Sequence, residues 1–262
     1  MRKSKFALSA LLCACFFISF SFISCSDDDN DNKEEKIEII ENEPGKIPGL
    51  GNMEGELTGK PFTLPDGIEL ESEIKGYGSD VKSALDKKNQ SLVDDEFEFL
   101  LKQTKSTIEL VGSGYYVKLA INLKNNKDKN IDVEFPSGLI IKSLSGKYQH
   151  GLLIKKVKVT IPAKSTHSIA LFMYCGNANK GSSSTYETYE WGVISNSSVI
   201  VDLCERLKNK KINYEEFASD EISVFKAQRT VLQNIVWNLT DYGNPLSEAN
   251  IKYIEELPNS SN

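Results

Sequence analysis

Tyr115-Tyr116-Val117-Lys118-Leu119-Ala120-Ile121-Asn122-Leu123 is the stretch that decides how this chain folds. Val117, Leu119, Ile121 and Leu123 fall on one side of an extended backbone, with Lys118, Ala120 and Asn122 on the other. A period of two marks a strand with one buried face. The polar run 125–130 then reads as a turn. Ile131, Val133 and Phe135 resume the alternation until Pro136-Ser137-Gly138 breaks it. Residues 139–144, 151–155, 157–161 and 168–175 supply four more short apolar runs. Short strands at regular spacing, separated by turn signals, predict an antiparallel β-sandwich.

Outward toward the C-terminus the pattern changes. A Gly/Ser/Asn-rich stretch, 176–184, leads to Tyr186, Tyr189 and Trp191. Ser197 or Ser198 then caps a predicted helix carrying Val199, Ile200, Leu203, Cys204 and Leu207. A second helix is expected over about 220–240, with Val224, Phe225, Gln228, Val231, Leu232, Ile235, Val236 and Leu239 inward. Ser247, followed three residues later by Asn250, opens a third that ends near Leu257-Pro258. Outward toward the N-terminus, residues 52–91 mix turns such as Pro65-Asp66-Gly67 with a short strand at 68–74 and a helical piece near 79–88. The expected architecture is α+β, a sandwich region at 52–175 with a mainly helical region, 176–262, packed on it. Leu123-Lys124-Asn125-Asn126 followed by Val133-Glu134-Phe135-Pro136-Ser137-Gly138 is similar to immunoglobulin-like domains of the proteinase-inhibitor type. That resemblance implies an immunoglobulin-like sandwich and licenses no inhibitory activity.

The first residues speak to location. Arg2, Lys3 and Lys5 precede an apolar run, 6–23, which ends at Ser24-Cys25 and is followed by Ser26, Asp27, Asp28 and Asp29. A basic start, an apolar middle and small residues at the junction are the parts of a cleaved secretory signal, 1–24. A cysteine at the first mature position is what lipoprotein processing requires, so Cys25 is the expected lipidation site. Its acyl chains would hold the protein on a membrane at roughly 0.8 kcal/mol per buried CH₂. Cys25-Ser26-Asp27-Asp28-Asp29 resembles the export signal of Bacteroidetes lipoproteins, which implies the outer membrane and the outer cell face. Residues 25–51 are acidic and end in Pro44, Gly45, Pro48, Gly49 and Gly51, and are expected to form a disordered tether.

Composition excludes several classes. Loss of residues 1–24 removes three of 31 basic residues and none of 37 acids, leaving a formal charge of −9. Nucleic acid requires clustered positive charge, so it is not an expected partner. Two histidines, His150 and His167, and the absence of short Cys/His spacings leave no zinc pattern. No phosphate-cradling loop, dinucleotide fingerprint or Gly-x-Ser-x-Gly elbow is present, and no cofactor is expected.

Two cysteines remain beyond Cys25. Cys175 lies in phase with Ile169, Leu171 and Met173, and Cys204 falls on the apolar face of its helix. Buried free thiols and a disulfide both fit this placement. A third reading comes from Tyr174-Cys175 together with Leu232-Gln233-Asn234-Ile235-Val236-Trp237. These segments resemble the thioester domains of bacterial surface adhesins, in which a cysteine after an aromatic residue is joined to a glutamine four residues before a tryptophan. The resemblance implies Cys175 and Gln233 as partners of an internal thioester, an acyl electrophile open to nucleophiles. Tyr186, Tyr189 and Trp191 are candidates for stacking on sugar rings, or for packing one face of a strand. Asp94-Asp95-Glu96 and Glu215-Glu216 are paired acids of the kind acid–base chemistry uses, and equally solvated faces. With no nucleophile–base pairing legible, no enzymatic activity is expected. The sequence favours a surface-anchored binding or adhesion module for a glycan or protein ligand. A covalent adhesin and an accessory subunit of an outer-membrane uptake complex are the alternatives.

Overall fold

The computed structural model describes residues 38–77 and 108–261. The signal segment, Cys25, the helical piece near 79–88 and Asp94-Asp95-Glu96 lie outside the described residues.

The alternating stretch forms β5 (Val117–Asn125), paired antiparallel with β10 (Thr166–Cys175) from Thr166↔Lys124 to Met173↔Val117. Around this pair the sheet closes. β3 (Ile74–Gly76) joins β5 to β11 (Thr188–Ser195), β11 pairs with β7 (Leu139–Ser143), and β8 (Gly151–Leu152) joins β7 back to β10. The result is a six-stranded closed ring. β1 (Gly59–Pro61) is added on β11, β2 (Ile68–Leu70) on β5, and β4 (Glu109–Gly112) runs parallel to β10. β6 (Ile131–Phe135) and β9 (Val157–Ile161) form a separate antiparallel pair. An α+β molecule with mostly antiparallel strands and a helical C-terminal part is therefore present, but its main sheet closes where an open sandwich is expected. The physical reason is length. β10 is ten residues long, so it pairs with β5 and still extends far enough for β8 to seal the ring.

β11 also sits within 176–262, the stretch expected to be mainly helical. Its register shifts between Trp191 and Ile194. Gly192 allows this, because a Cβ there would lie 2.5 Å from the Ile140 carbonyl oxygen.

Two apolar clusters divide the sheet's faces. Val117, Leu119, Ile121, Leu123, Ile169, Leu171, Met173 and Cys175 share one with β6, β7 and β9. Ile140, Leu152, Ile154 and Tyr174 turn the other way, onto the helices. The end of β10 is thus buried on both faces, which is why its sequence is apolar without interruption.

Among the described residues there are three α-helices: α1 (Ser198–Leu207), α2 (Ile222–Thr240) and α3 (Glu248–Glu256). Ser197 and Ser247 stand at the N-caps of α1 and α3, and Ser247 Oγ accepts the Asn250 N–H at 3.1 Å. α2 departs from the apolar pattern. Val224 and Val231 are exposed, while Arg229 and Gln233 are buried. Arg229 finds the Tyr115 ring at 4.5 Å, so a charged residue gains a place inside.

Residues 38–51, expected as part of the tether, are folded. Ile40 N–H donates to Asn196, Ser198 N–H to Ile40, and Gly45 N–H to Leu239 at 2.7 Å. The Pro/Gly punctuation that reads as a linker instead makes successive turns, which drive Ile47 and Leu50 into the helix-side cluster.

Candidate functional site

The end of β10 meets the middle of α2 at Cys175. Here β5 has run out, since its last partner on β10 is Met173, and the backbone groups of Cys175 need other partners. Gln233 provides them. Cys175 N–H donates to Gln233 Oε1 at 2.9 Å, and Gln233 Nε2 donates to the Cys175 carbonyl at 3.0 Å. The carboxamide acts as a neighbouring strand would, and both residues are buried.

The sulfur has its own surroundings. Trp237, one helical turn beyond Gln233, donates its indole Nε1–H to Cys175 Sγ at 3.2 Å. Asn177 donates its backbone N–H to the same atom at 3.3 Å. Burial pushes the thiol up to about 12, against the pull of these two donors. The half-buried Tyr116 ring lies 5.1 Å from that of Trp237, and burial and Cys175 together raise its phenol. Tyr116 and Trp237 thus lead from the sulfur toward the surface.

The turn after Cys175 is tied down from several directions. Ala178 N–H donates to Asp241 Oδ1 at 2.7 Å, and Thr240 Oγ1 donates to Asp241 Oδ2 at 2.7 Å. Burial raises the Asp241 carboxyl, with those donors opposing. Asn177 Nδ2 donates to the Gly51 carbonyl at 3.0 Å, and its Oδ1 accepts the His150 N–H at 3.2 Å. Gly51 N–H donates to the Gly176 carbonyl at 2.6 Å. Gly51 has φ +58°, and a Cβ there would lie 1.9 Å from the Thr240 carbonyl oxygen, so only glycine fits.

A cavity of about 330 Å³ opens beyond Asn177, lined by Gly49, Asn52, His150, Asn177 and Lys180 among others. His150 Nδ1 accepts the Ser143 N–H at 3.0 Å. Burial, with Lys180 and Lys142 adding to it, lowers this imidazole to about 4, so it is neutral near pH 7.

The remaining candidates are dispersed. Tyr186 is 81 % exposed, Tyr189 is 3 % exposed within the sheet cluster, and Trp191 stacks on Phe135 at 5.8 Å and packs on Phe62. The three form no common stacking platform: Tyr189 and Trp191, two apart on β11, both turn to the sheet cluster, while Tyr186 precedes the strand and stands in solvent. Glu215 accepts the Gly112 N–H and Glu216 pairs with buried Lys155, so the two carboxylates are held apart by different partners. Cys175 and Cys204 are both free and buried, in separate clusters. No metal-capable group of His, Cys, Asp and Glu occurs among the described residues.

Cys175, Gln233 and Trp237, singled out in the sequence, are therefore brought together. Asn177 and Asp241 were not singled out. A readable signal existed for Asp241, since Gln233, Trp237 and Asp241 recur every four residues along one helix face. Asn177 acts through its backbone N–H, which no side-chain pattern reports. No family model matches the chain, and neither the curated proteins nor the solved structures show a match to it.

Proposed function

We propose that this protein is a surface adhesion domain that attaches covalently to its target through an internal thioester between Cys175 and Gln233. The observation that carries this reading is the two-point pairing of Gln233 with Cys175, beside a sulfur that already receives two N–H donors. In the forming step the Cys175 sulfur attacks the Gln233 carboxamide carbon. A C–S bond replaces the C–N bond, and ammonia leaves with the proton of the thiol. Burial keeps water from the acyl group until a nucleophile reaches it. A target amine then attacks the acyl carbon, the C–S bond breaks, and the sulfur keeps the electron pair and recovers the amine's proton. An amide cross-link and a free thiol result. Cys25 would hold the domain to the outer membrane by its lipid, with the acidic segment after it as spacer. The ligand is a protein or glycan at the cell exterior.

Intact mass of the unreduced, lipid-free chain from Ser26 onward tests the reading. A deficit of one ammonia is expected, lost in both Cys175→Ala and Gln233→Ala. A full mass for the unsubstituted chain would reject the cross-link, and the domain would then be a reversible binding module.

A further inference from the structure

The sulfur of Cys175 receives more hydrogen bonding than a neutral thiol needs. A thiol or thioester sulfur is a weak acceptor, whereas a thiolate is a strong one. Yet two N–H groups, from different elements, converge on it. The Trp237 indole comes from α2 at 3.2 Å, and the Asn177 backbone N–H comes from the turn after β10 at 3.3 Å. Neither donor is free to turn away. Trp237 is packed on Tyr116, and one turn before it Gln233 is anchored on the Cys175 backbone. The Asn177 side chain is bonded at both ends, to Gly51 and His150, and the next residue is clamped by Asp241.

Resting on the thioester reading, we propose that Trp237 Nε1–H and Asn177 N–H form a paired hole for the leaving thiolate, which makes Trp237 a catalytic residue of acyl transfer. As a target amine adds to the acyl carbon and the C–S bond lengthens, electron density gathers on sulfur. The two donors are already aimed at the atom where that charge develops, so no reorganisation is needed at that moment. The thiolate then takes the proton released by the amine nitrogen. The same donors serve the forming step in reverse, because the attacking species there is also the thiolate.

Trp237→Phe keeps an aromatic ring against Tyr116 and removes the N–H. In the lipid-free chain its thioester should react with methylamine roughly ten- to a hundredfold more slowly than the parent, the loss of one charge-assisted hydrogen bond. A parent-like rate would overturn the proposal. A second arm needs no thioester. In the Gln233→Ala chain, the rate of Cys175 modification by methyl methanethiosulfonate at fixed pH follows its thiolate fraction. Adding Trp237→Phe should slow it about tenfold. A merely structural role would loosen the packing and speed it, and an unchanged or faster rate would overturn the donor role. Trp237→His, which restores a ring N–H, should recover part of the lost rate in both arms. If the parent chain shows no ammonia deficit, the thioester reading alone fails, and the second arm still decides whether the Trp237 donor stabilises charge on the sulfur.

Discussion

The two buried cysteines of this molecule occupy very different surroundings. Burial pushes both thiols to about 12. Cys204 sits on α1 among Ile200, Leu203 and Leu207, where burial outweighs the pull of nearby Gly138 and Ser137 on its thiol. Its neighbours are those of a small apolar residue filling a helix–sheet contact. Cys175 sits where a strand ends, with a carboxamide on its backbone, an indole N–H on its sulfur and a turn fixed by Asp241 and Asn177. Burial alone says little about a cysteine. What converges on its sulfur and backbone separates packing from chemistry.

The sharpest way to break this contrast is chemical labelling. Methylamine should be incorporated into the parent and Cys204→Ala chains and not at all into Cys175→Ala, as read by intact mass. Labelling that followed Cys204 would abolish the distinction. Next in size, Leu203→Ala beside Cys204 should cost roughly 3–5 kcal/mol in urea unfolding, because it opens a cavity in the helix-side cluster. It should leave the ammonia deficit of the folded fraction intact. Acid should act on the Cys175 side. His150, which bonds Asn177, has its folded value lowered from 6.5 to about 4. The unfolded chain therefore binds a proton that the folded one refuses, and stability is lost as pH falls from about 6.5 to about 4. The loss should total about 3 kcal/mol and vanish in His150→Asn, as read by unfolding across that range. Cys204→Ala itself should cost about 1 kcal/mol. Tyr186→Ala should change stability by less than about 0.5 kcal/mol, given its exposure.

Much of the framework was legible in the sequence. The alternation of 117–123 places β5, and Ser247 marks the start of α3. Ring closure was not legible, because β3 and β8 are three and two residues long and carry no period. The apolar count on α2 overstated Val224 and Val231, since burial of Arg229 and Gln233 rotates the helix by what those polar groups bind. At the site, spacing pointed to Gln233 and Trp237. It could not reveal Asn177, whose contribution is a main-chain donor aimed by tertiary contacts.

The path of residues 38–51 has a mechanical consequence. This strand of chain is stitched to Asn196, Ser198 and Leu239, and Leu239 lies on the same helix as Gln233. Were the proposed cross-link at Gln233 formed, tension between residue 38 and the target would enter at these bonds and reach α2 through Leu239. Asn196 follows directly on β11 and Gly176 on β10, so the bonds to them also tie this segment to the ends of two ring strands.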